Sequence, residues 1–209
     1  MKRIIFVTTI LILFVGSANA ELWVDDARGL VYDTDLDITW LQDVNYAGGR
    51  MTWDNSMTWA STLIYEGYDD WRLPTTLVPD TSCSFDSRFA NGCNCTGSEL
   101  VYLYYIGLGN DVTGSPTFSP FDYIEPDFGA SVFFWSSTSH SSGAWRVNYS
   151  VGGSQGLQSK NTISFAWAVR DGNSGVADPN APPVIPEPIS SVLFVSGAGV
   201  LVGRRYLKK

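Results

Sequence analysis

The sequence predicts an α+β domain. Strand-like stretches stand at both ends of the central region, in LVYDTDLDITWL from Leu30 to Leu41 and in AWRVNYS and SFAWAVR beyond residue 140. Two helix-like stretches lie between them. Strands do not alternate with helices, which points away from a parallel α/β sheet. A hydrophobic share of 44% and eight Trp, all between Trp23 and Trp167, supply enough apolar surface for one folded domain.

The first element is a targeting segment. Lys2 and Arg3 form a basic start, Ile4 to Val15 is apolar, and Ala18-Asn19-Ala20 is a small-residue cleavage motif. This is the pattern of a secretory signal cleaved after Ala20. It divides the chain into a signal at 1–20, a domain at 21–172, a linker at 173–185 and a tail at 186–209.

Leu30 to Leu41 reads as a hairpin with an Asp-rich turn. Asp33, Asp35 and Asp37 alternate there and form a weak calcium candidate. An EF-hand loop needs Gly at its sixth position and Glu at its twelfth, but Ile38 and Val44 stand there. A solvated turn is the simpler expectation. The sequence calls for no other metal and no cofactor.

MTWDNSMTWASTLIYEGYDDW predicts a helix capped by Thr52, with Asp54 in its first turn and Gly67 as its stop. GSELVYLYYIGLGN predicts a second helix, capped by Ser98 and ended by Gly107 or Gly109. Its centre is apolar nearly all round, as in a buried helix. AWRVNYS places Trp145, Val147 and Tyr149 on one strand face. SFAWAVR places Phe165, Trp167 and Val169 on another. The Pro-rich stretch after Gly172 is a semi-extended linker.

The tail has three parts: Pro186-Glu187-Pro188, an uncharged run from Ile189 to Gly203, and Arg204-Arg205 with two further Lys. As a helix the run spans roughly 22 Å, short of a bilayer core of about 30 Å. The basic residues would hold the C-terminus in the cytoplasm. In order and spacing the tail resembles the PEP-CTERM sorting signal of Gram-negative bacteria. That resemblance implies an exosortase partner, transient membrane insertion through the C-terminal helix, and release to the cell surface or an exopolysaccharide matrix. A tail-anchored periplasmic protein is the alternative.

Between residues 21 and 185 seven basic residues face 20 acidic ones, a net charge of −13. Such a surface repels phosphate backbones, so nucleic acid is excluded as a partner. Sulfated and uronic polysaccharides are disfavoured on the same ground unless a cation bridges them.

Seven motifs follow in order from Leu30 to Gly172: GLVYDTDLDITWLQDVNYA, MTWDNSMTWA, DWRLPT, GSELVYLYY, FFWSSTS, AWRVNY and FAWAVRDG. Together they resemble the Lcl C-terminal domain family of bacterial extracellular domains. The resemblance implies a fold similar to C-type lectins, with two helices beside a small twisted antiparallel sheet. It also implies a binding or adhesion role toward carbohydrate or matrix proteins. The name-giving member binds sulfated glycosaminoglycans through a basic surface. The acidic domain here departs from that, so this ligand is not carried over.

The 22 residues between Thr75 and Ser98 form an insertion that holds all three cysteines, Cys83, Cys93 and Cys95. Outside the cytoplasm a disulfide is the default. Cys93 and Cys95 are too close to pair comfortably, which leaves Cys83 with either of them and one free thiol. A zinc site lacks a clear fourth ligand. His140, the one histidine, lies in a Ser-rich loop without a nucleophile elbow. No catalytic residue is assigned. The expectation is a non-enzymatic surface module; the alternative is an enzyme acting on extracellular polysaccharide.

Overall fold

The Leu30–Leu41 stretch forms the hairpin that its pattern predicts. The computed structural model describes residues 21–86, 88, 90–113, 116–122, 132–150 and 152–182. In it β2 (Leu30–Asp33) pairs antiparallel with β3 (Ile38–Leu41), β1 (Leu22–Asp25) lies outside β2, and β9 (Val169–Asp171) lies outside β3. Seven of the eight residues of β2 and β3 are buried, so this sheet is covered on both faces.

A second sheet runs in the order β4 (Arg50–Met51), β8 (Ser164–Phe165), β5 (Phe133–His140), β6 (Gly143–Asn148) and β7 (Ser154–Gln158). β5 and β8 are parallel and the remaining pairs are antiparallel. Nine strands therefore stand against two short helices, α1 (Trp53–Thr62) and α2 (Glu99–Tyr102), among the described residues. This overturns the expected α+β, C-type-lectin-like domain of two helices beside one small sheet. The chain is mostly β. β4 and β8 are two residues each, and β7 reads SQGLQ, so none carries an alternating apolar pattern.

Both helices are shorter than predicted. α1 begins after Thr52, but the Thr52 side chain makes no cap bond, and the helix stops at Thr62 instead of Gly67. Gly67 serves a turn between Tyr65 and Tyr68 at φ +80°, where a residue without Cβ is favoured. α2 has four α-helical residues and then widens into a π turn over Leu103–Gly107. The buried Tyr149 hydroxyl donates to the Leu100 carbonyl at 2.5 Å. It occupies a helix acceptor just before that widening, the kind of intrusion that distorts the regular ladder.

The SFAWAVR stretch is not one strand. Every residue from Ser164 to Val169 is buried, and the chain crosses from the second sheet at β8 to the first at β9. Trp167 sits at this crossing. Its ring lies 4.8 Å from both Trp40 and Phe121 and 5.3 Å from Phe134. Its indole N–H donates to the Leu41 carbonyl at 2.8 Å. The main core forms around this cluster, with Leu100, Val101, Leu103 and Tyr104 among its buried members. A smaller core under α1 joins Ala60, Leu73, Trp135, Ala144 and Ala166.

DWRLPT links the two sheets. Arg72 exchanges backbone bonds with Val169 of β9, while the Pro74 carbonyl accepts from Ser137 N of β5 at 2.7 Å. Trp71 and Leu73 are buried between. The Arg72 guanidinium grips Glu99 with two 2.8 Å bonds and Asp171 with bonds of 2.6 and 3.1 Å. Burial alone would lower the Arg72 pKa; the paired carboxylates outweigh it and raise the value.

The packed unit runs to Ala177. Arg28 donates to the carbonyls of Ser174 and Gly175, and Val176 is buried, so the residues just after Gly172 belong to it. Of the second unit, Asp178–Lys209, residues 178–182 are described, and they form a turn in which Asp178 accepts from Asn180 and Ala181. No helix among the described residues is long and apolar enough to cross a membrane. The predicted C-terminal helix and the signal at 1–20 lie outside the described residues.

Candidate functional site

A cleft of about 880 Å³ opens between the end of β1 and the 116–122 segment. Val24, Asp26, Gln42, Phe118, Phe121 and Asp122 define its chemistry, with Pro116, Ser119, Pro120, Val132 and Ser150 completing the wall. Its size suits a small ligand.

Gln42 organises it. The residue is 6% exposed, and its side-chain amide donates to Asp26 Oδ1 at 2.7 Å and to the Pro120 carbonyl at 3.1 Å. Its backbone carbonyl accepts from Asp122 N at 2.9 Å. One buried side chain therefore ties the turn after β1 to the 116–122 segment, and both Asp26 and Asp122 stand exposed. The floor is rigid: Phe121 packs edge-on against Trp167, and Phe118 lies 5.5 Å from Tyr149. Two carboxylate acceptors beside aromatic and aliphatic surface match a ligand that presents hydroxyl donors and C–H faces.

The predicted site residues fall elsewhere. Asp33, Asp35 and Asp37 do not converge. Asp33 turns inward, where its Oδ1 accepts from the Asp35 and Leu36 amides and its Oδ2 is buried without a partner. Asp35 accepts from Tyr102 and Asp37 from Tyr32. The calcium candidate is thus an Asx turn with three divergent side chains. Burial raises the Asp33 pKa, with the charges of Asp35 and Glu99 adding to it. Burial, then the Asp35 contact, pushes Tyr102 up to about 12.

In the insertion Cys83 bonds to Cys95 and leaves Cys93 as a partly exposed thiol. Asp80 is buried; it accepts from Ser82 N, Ser82 Oγ and Gly97 N and so fixes the base of the loop. Asp80, Cys83 and Cys95 have donor atoms within 4.8 Å of one another, but the disulfide removes both thiolates as ligands. Gly92 exchanges backbone bonds with Gln155 and covers the outer edge of β7. His140 stays exposed and contacts Ser141 and Ser142. Ala18, Ala20, Pro186, Glu187, Pro188, Arg204 and Arg205 lie outside the described residues.

No residue of the cleft was singled out by the sequence. Asp26 sits in a DDARG turn and Asp122 in SPFDY, and no spacing links them. Compared with protein families, curated proteins and solved structures, the chain matches none.

Proposed function

We propose that this chain is an exported, non-catalytic binding module that holds neutral, hydroxyl-rich carbohydrate in the Asp26–Gln42–Asp122 cleft. The observation that carries this reading is the buried Gln42 amide, which positions one carboxylate and braces the segment bearing the other beside Phe118 and Phe121. Carboxylates held in this way accept hydroxyl hydrogen bonds without first reorganising. The signal pattern at 1–20 and the PEP-CTERM-like tail support export and exosortase processing. The ordered motifs resembling the Lcl C-terminal domain family support an extracellular binding role.

A panel of neutral oligosaccharides tests the reading. Wild type binds at least one, and Asp26→Ala and Asp122→Ala each weaken it at least tenfold while leaving the fold intact. Silence across the panel contradicts it. Two carboxylates on one cleft also favour a second reading, cleavage of the bound glycan by an acid and a base or nucleophile. Release of shorter sugars from the bound oligosaccharide, lost in Asp26→Asn, would decide for the enzyme.

A further inference from the structure

One face of the second sheet carries a hollow distinct from the cleft. Trp135, Ala144 and Arg146 share this face, since Trp135 pairs with Arg146 across β5 and β6. The small core around Trp135 and Ala144, with Ala60 of α1, covers one end of it. At the other end Phe133, Arg146, Asn148, Ser154, Gly156 and Gln158 line an open hollow of about 290 Å³. Gly156 is opposite Arg146 in register; a side chain there would press on Asn91, whose Oδ1 lies 3.3 Å from where its Cβ would sit.

Arg146 is the unusual group. Its guanidinium carbon lies 3.6 Å from the centre of the Phe133 ring, and Nη1 donates to Ser164 Oγ at 3.3 Å. Arg28, Arg72, Arg88 and Arg170 each hold a carboxylate. Arg146 holds none among the described residues, although 20 acidic residues lie between residues 21 and 185. Burial lowers its pKa with no anion to compensate. A stacked, planar guanidinium keeps its fork pre-oriented for a bidentate carboxylate. Beside it Asn148 also lines the hollow, and its Oδ1 is engaged by Ser150 N at 2.9 Å.

We propose that this hollow binds the carboxylate of a uronic acid residue in an acidic polysaccharide, with Arg146 as the carboxylate clamp and the Phe133 edge, Asn148, Ser154 and Gln158 around the sugar ring. The polar rim matches ring hydroxyls, and a hollow of this size takes about one sugar ring. The domain's net negative charge does not forbid it. At physiological salt the screening length is about 8 Å, so distant carboxylates slow encounter more than they weaken a contact made by Arg146. The inference does not rest on the cleft reading.

The test is a titration followed by backbone and Arg side-chain NMR. The probes are tetragalacturonate, the same tetramer with its carboxyls reduced to alcohols, and a short peptide with a free C-terminal carboxylate. Tetragalacturonate should shift the Arg146 Nε–Hε signal and the amides of β6 and β7. Arg146→Lys and Arg146→Gln should weaken it at least tenfold, while Asp26→Ala leaves it unchanged. Carboxyl reduction should abolish binding. Equal affinity for the reduced tetramer, unchanged affinity in Arg146→Lys, or binding of the peptide in place of the sugar overturns the proposal. Phe133→Leu, which keeps an apolar side chain, should weaken binding about threefold and guards against a folding defect in the Arg146 variants.

Discussion

Replacing Arg72 with Met tests the link between the sheets. Arg72 carries two bonds to Glu99 and two to Asp171, and its side chain is 28% exposed against 15% for Glu99. Without the guanidinium, the Glu99 carboxylate keeps the Thr75 N–H at 2.6 Å. Removing one partner of a buried ion pair costs about 3–5 kcal/mol. Partial exposure places Arg72→Met at the lower end, about 3 kcal/mol. Glu99→Gln keeps an oxygen for Arg72 and loses the charge, a cost of about 1–2 kcal/mol. Asp171 is 79% exposed, so Asp171→Asn should cost under about 1 kcal/mol. Urea unfolding measures all three. With a slope of about 2 kcal/mol/M, Arg72→Met should lower the midpoint by roughly 1.5 M. The double variant Arg72→Met/Glu99→Met should lose less than the sum of the singles. A midpoint for Arg72→Met within about 0.3 M of wild type, or an Asp171→Asn cost as large as that of Arg72→Met, would contradict a stabilising Arg72–Glu99 pair.

Cys83→Ser should cost about 3 kcal/mol, since the bond closes a loop with a separation of 12 residues; Cys93→Ser should leave thermal stability unchanged. Asp33→Asn keeps the two backbone bonds to Oδ1 and removes a buried charge. The folded chain binds the Asp33 proton more tightly than the unfolded chain does, so Asp33 costs stability as pH rises through its raised folded-state pKa. The variant should therefore melt higher than wild type at pH 7, and the gap should close as pH falls toward about 3.9. Thermal melts across pH 3.5–7 check this; a gap that widens in acid contradicts it. Intact mass of the exported protein should end near Pro186-Glu187-Pro188 in wild type and retain the Arg204–Lys209 residues when Pro186 and Glu187 are replaced.

How far the sequence could be read depended on how each element buries itself. The hairpin at 30–41 was legible because its turn is polar and its strands are apolar. Arg72 was legible only as part of the DWRLPT motif, because its main partner, Glu99, is 27 positions away. The extent of the sheets was not legible. Strands β4, β7 and β8 gain their pairing from neighbours, and period-two alternation fails where both faces are covered, as from Ser164 to Val169. The α2 segment reads as a regular helix until Tyr149, nearly 50 residues later, takes one of its carbonyls. Asp26 and Asp122 line one cleft, with Gln42 bonding to both loops, and that bonding has no local signature. Arg146 is ordinary in AWRVNY; only the fold puts it over Phe133 and opposite Gly156.

Carbohydrate binding in the cleft is measured most directly by an NMR titration of the isotope-labelled protein with a neutral tetrasaccharide selected from the panel. Shifts should concentrate on the amides of Asp26, Gln42, Phe121 and Asp122 and on the Gln42 side-chain amide, and Asp26→Ala should suppress them. Shifts confined to another surface, or binding that survives Asp26→Ala and Asp122→Ala unchanged, would contradict a carbohydrate site in the cleft.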